Sequence, residues 1–249
     1  IKKVKKHWVS ATQLRNHILK DGLVDWLDVY NGKTSSNSTR SMTFPNFLLN
    51  KGNEFEEKVM DYISDNHKVE FVSTLYNKSS IDKTIRMMKE GVPLIYSAPL
   101  SNKKTNTYGV ADLLVRSDYL KKLINNVDID DEELLVPSPN LNLPCHYLVI
   151  DIKFFTLPLR CNGKHILNTD KTRAYKSQLY IYNDAIGEIQ GYTPRYSFLL
   201  GRSANHISKG EQFKTETCLD KLGIVDFHDV DEFCKEQTND AVKWKRRVL

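Results

Sequence analysis

One run constrains the fold more than any other: Tyr147-Leu148-Val149-Ile150-Asp151-Ile152-Lys153-Phe154-Phe155. It is dense in β-branched and aromatic residues, so His146 to Phe155 predicts a strand. Two opposite charges stand inside it, two residues apart. Side chains alternate across a strand, so Asp151 and Lys153 share one face, while Leu148, Ile150, Ile152 and Phe154 fill the other. A structural ion pair would satisfy this pattern. Buried ion pairs stabilise a fold poorly, however, so their placement in an apolar strand points toward function.

The rest of the chain supplies elements to pack around that strand. A short helix is expected over 9–20 and a Ser/Thr/Asn/Gly-rich mobile loop over 31–44. A helix over about 52–66 carries an apolar stripe of Phe55, Val59, Tyr62 and Ile63. A strand over 70–75 follows, then a helix capped by Ser80 and ended by Gly91. Strands are expected over 93–100 and 107–116, joined by a polar turn. Residues 128–144, acidic and rich in Pro and Asn, read as a surface insertion. Asp170 opens a long helix to about Gln190, with Tyr175, Leu179, Tyr182, Ile186 and Ile189 on one face and Gly191 as its stop. A strand over 196–200 and a final helix over 231–247 complete the order. This alternation predicts an α/β fold with a mixed central β-sheet flanked by helices.

Three further features carry polar groups where apolar ones would fold as well. In Gly52-Asn53-Glu54-Phe55-Glu56-Glu57, Glu56 lies at the edge of the apolar stripe, able to face a cleft; alone it reads as a solvated acid near a helix start. In Gly109-Val110-Ala111-Asp112-Leu113-Leu114-Val115, Asp112 interrupts an apolar strand, where a metal ion or a cation would offset its burial; alone it reads as a strand-edge acid facing water. In Gln178-Leu179-Tyr180-Ile181-Tyr182, Gln178 and Tyr182 share one helical face, which an amphipathic helix also explains.

Taken together, the order Glu56, Gly109-x-x-Asp112, Asp151-Ile152-Lys153, Gln178-x-x-x-Tyr182 resembles the PD-(D/E)XK nuclease superfamily, in its RecB-like and phage lambda exonuclease-like branch, over roughly residues 50–200. Two departures stand out: Ala111 precedes Asp112 where Pro is found in the motif, and the second acid is Asp151 where Glu is frequent. The resemblance implies a restriction-endonuclease-like core and a metal-dependent nuclease, endo- or exonucleolytic, of the kind used in DNA repair and recombination. It implies Glu56, Asp112, Asp151, Lys153, Gln178 and Tyr182 as catalytic residues. It implies Mg²⁺, with Mn²⁺ as substitute, held by Glu56, Asp112, Asp151 and the Ile152 carbonyl; hard oxygen ligands suit both ions. Members with an iron–sulfur cluster use one early and three late, closely spaced cysteines. Cys145, Cys161, Cys218 and Cys234 do not follow that spacing, so no cluster is expected.

The division expected is an N-terminal helical and loop extension over 1–48, a nuclease core over 49–204, and a helical extension over 205–249 belonging to the same domain. The net charge of +5 suits a polyanion without requiring one. Arg160, Lys164, Lys171, Arg173 and Lys176 fall between the charged strand and the long helix and are expected to contact phosphates of nucleic acid, DNA foremost. Lys2, Lys3, Lys5 and Lys6 could serve likewise or form a solubilising tail. No apolar run is long enough to span a membrane, no secretory signal is visible, and four widely spaced cysteines suit a reducing, intracellular compartment. The missing initial Met and the abrupt end at Leu249 are those expected of a piece of something longer. Two other readings compete: a catalytically inactive PD-(D/E)XK module that binds nucleic acid or acts as a scaffold, and an unrelated metal- or phosphate-binding α/β enzyme. The second lacks a Gly-rich phosphate loop, a Gly-x-Ser-x-Gly elbow and a His-Glu-x-x-His helix.

Overall fold

The structure, a computed structural model, describes residues 7–30, 44–124 and 126–249. Lys2, Lys3, Lys5 and Lys6 lie outside the described residues, as does the expected loop up to residue 43.

In chain order the elements are β1 (Val9–Ser10), α1 (Arg15–Ile18), α2 (Gly22–Tyr30), α3 (Phe44–Asn66), β2 (Glu70–Phe71), α4 (Lys78–Lys89), β3 (Leu94–Asn102), β4 (Thr107–Arg116), α5 (Leu120–Leu123), α6 (Asp131–Leu134), β5 (Tyr147–Pro158), α7 (Asp170–Gln190), β6 (Tyr196–Ser208), β7 (Glu211–Lys214), β8 (Gly223–Asp226) and α8 (Phe233–Val248). The strands form one mixed sheet in the order β2-β3-β4-β5-β6-β7, with β1 also on β4 and β8 also on β6. β3, β4 and β5 run antiparallel to one another, whereas β5 and β6 are parallel. Parallel neighbours need a crossover, and α7 provides it. The helix is opened by the Thr169 side chain, which accepts from the Thr172 amide, and is stopped by Gly191 at φ 76°. That left-handed conformation suits a residue without Cβ.

Each face of the sheet buries its own apolar layer. Tyr147, Val149, Leu157, Ala111 and Leu114 pack with α4, α7 and α8; Leu148, Ile150, Ile152, Leu113 and Val115 pack with α3 and α5. Strand β5 is therefore covered on both sides, each fully buried aliphatic contributing about 1.5–3 kcal/mol. Among the described residues no helix is long and apolar enough to cross a membrane.

Several boundaries differ from those expected. Residues 9–20 form a strand, a 3-10 turn and one short helical turn instead of a helix, because Val9 and Ser10 pair with Thr107 and Tyr108. α3 runs through Gly52 and begins at Phe44. Asn77, not Ser80, caps α4: its side chain accepts from the Ser80 amide at 2.9 Å. Residues 128–144 contain α6 and a 3-10 turn that bury Leu134 and Leu141. β6 extends to Ser208, so the boundary placed after residue 204 falls within a strand, and β7 and β8 join the same sheet.

Candidate active site

The site is built where two central strands part. β4 and β5 pair from Arg116↔Tyr147 to Leu113↔Ile150 and then diverge. At the fork the Ile152 amide donates to Asp112 Oδ2 at 2.7 Å. β3 occupies the other edge of β4 along its length, so β1 takes the edge that β5 has left. β4 also changes face here: Ala111 packs in one apolar layer and Leu113 in the other. Opposite Asp112, Ser97 adopts φ 53° and the two residues fall between the pairs Tyr96↔Leu113 and Ala98↔Ala111. The β5–β6 register shifts between Lys153 and Thr156. Irregularities of this kind bend strands and re-aim side chains, and together they bring Asp112 beside the polar face of β5.

Lys153 Nζ lies 2.6 Å from Asp151 Oδ2 and 3.6 Å from Asp112 Oδ2. Asp151 is fully buried, and its Oδ2, paired ionically with Lys153, accepts no hydrogen bond among the described residues. Burial pushes the Asp151 carboxyl well above the usual carboxylate range; Lys153 opposes this and Asp112 adds to it. Burial works against the Lys153 ammonium too, but the Asp112 and Asp151 carboxylates outweigh it and hold the group above an ordinary lysine. Glu56, from α3, accepts a hydrogen bond from the Tyr96 hydroxyl at 3.1 Å. Its carboxyl is pushed up to about 7, first by burial and then by the Asp112 carboxylate, with Tyr96 and Lys153 pulling the other way. The Asp112 carboxylate thus raises both Glu56 and Asp151, and the Lys153 ammonium opposes it at both.

α7 closes the site from the other face. Gln178 Nε2 lies 3.4 Å from Asp151 Oδ1 and donates to the Tyr182 hydroxyl at 3.0 Å. Tyr182 is buried against β4, where a Cβ on Gly109 would come within 2.5 Å of its ring. Glycine in Gly109-x-x-Asp112 is therefore what lets α7 approach the strand that carries the acid.

The six residues expected to be catalytic, Glu56, Asp112, Asp151, Lys153, Gln178 and Tyr182, converge in one place. The donor set fits a hard divalent cation: it offers carboxylate oxygens from Glu56, Asp112 and Asp151, and Asp151 Oδ2 is buried with no hydrogen bond among the described residues. An extended residue shows its N–H and C=O to the same neighbour, so the Ile152 carbonyl opens into the fork as well. Among the described residues no group of three or more His, Cys, Asp or Glu is arranged as a ready-made metal site. The Lys153 ammonium lies between the two aspartates instead.

The expected phosphate contacts need correction. Lys176 is fully buried, paired with Asp231 at 2.6 Å and donating to the Ile166 carbonyl at 2.8 Å, so it cannot meet a substrate. Lys164 is ion-paired with Asp128. Arg160 and Arg173 have their Nε atoms buried. Lys171 is exposed. Tyr96, not singled out from sequence, also lines the site; Phe154, expected to fill the apolar face of β5, is exposed instead, and Arg15 and Arg202 lie against the rings of Tyr175 and Phe154. Period-two alternation puts Phe154 on the face opposite Lys153, and nothing local in the sequence signals its exposure. Arg15 and Arg202 come from elements distant in sequence and left no signal either. The four cysteines are free thiols, buried at Cys145 and Cys234, half-buried at Cys218 and exposed at Cys161.

Compared with known proteins, the chain matches no family model and no curated protein.

Proposed function

We propose that this chain is a divalent-metal-dependent nuclease of the PD-(D/E)XK type, hydrolysing phosphodiester bonds of nucleic acid, DNA foremost. The observation that carries the reading is the sharing of the Lys153 ammonium by Asp112 and Asp151 at the point where their strands part. Buried charges of this kind stabilise a fold poorly, which makes their placement here a sign of chemistry. Asp112, Asp151 and the Ile152 carbonyl would hold Mg²⁺ (Mn²⁺ as substitute), with Glu56 adding a further carboxylate. When bound, the ion polarises the phosphate and makes a bound water more acidic. Lys153 offsets negative charge that develops on the phosphate oxygens and orients the attacking water. Gln178 fixes Asp151 and Tyr182 in their orientations, and the Tyr96 hydroxyl does the same for Glu56.

The test is digestion of linear and circular DNA and of RNA, single- and double-stranded, with Mg²⁺ and with chelator. Metal-dependent cleavage abolished by Lys153→Ala and by Asp151→Ala is expected. Binding without cleavage under every condition would favour the inactive binding module, for which the ion pair within the fork would be a permanent arrangement.

A further inference from the structure

Two aromatic rings with arginines against them stand on either side of the Asp151–Lys153 pair. On the α7 side, the Tyr175 ring centre lies 5.8 Å from Lys153 Nζ and 5.7 Å from the Arg15 guanidinium carbon. On the opposite face of β5, Phe154 follows Lys153 directly, and the Arg202 guanidinium carbon lies 5.5 Å from its ring centre. The Arg202 side chain is steadied by donating to Thr156 Oγ1 at 3.4 Å. Arg202 also follows Gly201, whose register partner across the sheet is Lys153.

Phe154 leans on Phe55, with ring centres 5.7 Å apart, and Tyr175 on Phe155 at 5.3 Å, but neither contact calls for the arginines. Phe154 is 39% exposed, an unfavourable place for a large apolar ring that could be buried. Arg15 and Arg202 are exposed, and neither makes an ion pair with a carboxylate among the described residues. A ring beside an unpaired guanidinium offers a flat surface for a base and a fork of donors for a phosphate. Bases inside a duplex are stacked on one another and present no free face; unpaired bases do. We infer that the two arginine-backed rings bracket the acid cluster to grip an unpaired nucleotide strand, so that single-stranded nucleic acid, or the frayed end of a duplex, is the form this site takes. The inference rests on the nuclease reading for the chemistry between the brackets, but the grip itself needs no cleavage.

Binding of a labelled single-stranded oligonucleotide and of its duplex, followed by fluorescence anisotropy in chelator, tests it. The single strand should bind more tightly by about tenfold or more, and Phe154→Leu should remove about tenfold of that affinity while Phe154→Tyr retains it. Arg202→Ala and Arg15→Ala should each weaken single-strand binding and lower the slope of log affinity against log salt by about 0.7, the share of one phosphate on a single strand. Arg202→Lys should restore the slope. Thermal melting of each variant separates binding from folding. Equal affinity for both forms, or a single-strand affinity indifferent to Phe154→Leu and to both arginine changes, would overturn the bracket. Mg²⁺-dependent cleavage could still survive in that case and leave the nuclease reading intact. Ring-dependent single-strand binding with no cleavage in Mg²⁺ would do the reverse.

Discussion

The Asp112 carboxylate accepts the Ile152 amide at 2.7 Å and so replaces the backbone carbonyl that would continue the β4–β5 ladder. One side chain both ends the pairing of two strands and sits where the strands open. The site is therefore a consequence of the sheet's own irregularity: the carboxylate that separates the strands is exposed to the space it creates.

That dual role separates two substitutions. Asp112→Asn retains an oxygen acceptor for the Ile152 amide, exchanging a charged hydrogen bond for a neutral one at a cost of about 1 kcal/mol. Asp112→Ala removes the acceptor and is expected to cost about 2 kcal/mol. Both should lose Mg²⁺-dependent cleavage by more than about a hundredfold, the scale of removing one electrostatic contact from a reacting centre. Denaturant melts and cleavage rates together check this. Equal stabilities for the two variants would show that the bond at the fork is idle.

Lys153 is the only cation facing the fully buried Asp151 carboxylate in an ion pair among the described residues. Lys153→Met leaves that carboxylate uncompensated, at a cost of about 3 kcal/mol. The acid cluster then depends more heavily on an added cation. Mg²⁺ should raise the melting temperature of Lys153→Met more than that of the parent chain, because an ion that binds only the folded state stabilises it by mass action. Differential scanning fluorimetry across a Mg²⁺ titration reads this directly. A variant that is as stable as the parent and blind to Mg²⁺ would contradict the cation-holding role of Asp112 and Asp151.

Lys176 and Lys171 make a contrasting pair on the first turns of α7. Lys176 bridges α7 to the segment before α8 through Asp231 and also donates to Asn168 Oδ1 at 2.6 Å. Lys176→Met breaks a buried pair from one side and should cost about 3–5 kcal/mol. Lys171→Met, at an exposed position, should change stability by less than about 0.5 kcal/mol. Nucleic-acid affinity, measured on the folded fraction, should not distinguish Lys176→Met from the parent chain. A loss of affinity without a loss of stability would reinstate Lys176 as a phosphate contact.

What was legible in the sequence was whatever repeats locally. The alternation in Tyr147–Phe155 places Asp151 and Lys153 on one face, and they are found 2.6 Å apart. The four-residue spacing of Gln178 and Tyr182 likewise survives as a hydrogen bond. What escaped depends on distant partners. Lys176 has the composition of a solvated helix position; it is buried because Asp231, 55 residues on, comes to meet it. β1 is two residues long and exists only because β5 leaves an edge of β4 unpaired, which no local period can announce. Gly52 and Asn53 look like a helix start, since both have poor helix propensity, yet α3 runs through them.

His146 gives the fold a dependence on pH that is separate from the acid cluster. The ring is fully buried, with Nδ1 2.9 Å from the Val136 carbonyl and no hydrogen-bond partner for Nε2 among the described residues. Because a carbonyl only accepts, Nδ1 carries the proton and Nε2 is a bare acceptor. Burial lowers the pKa of His146 below its ordinary value, with the Val136 carbonyl and Glu133 opposing. The unfolded chain therefore takes up a proton near pH 6.5 that the folded chain refuses. The contribution of His146 is fully present above that pH and declines as pH falls toward the folded value, by at most about 1.4 kcal/mol per unit. Glu56 and Asp151, whose folded values are raised, act in the opposite sense over the neighbouring range, so the parent curve alone mixes the effects. His146→Phe removes one of them: the ring stays near Tyr192, now 4.8 Å away, and the loss of the Val136 bond is a constant offset. The difference between the parent and His146→Phe stability curves, from denaturant melts between about pH 7 and pH 5, should narrow as pH falls. A difference that is flat across that window would mean that His146 binds its proton equally well in the folded and unfolded chain.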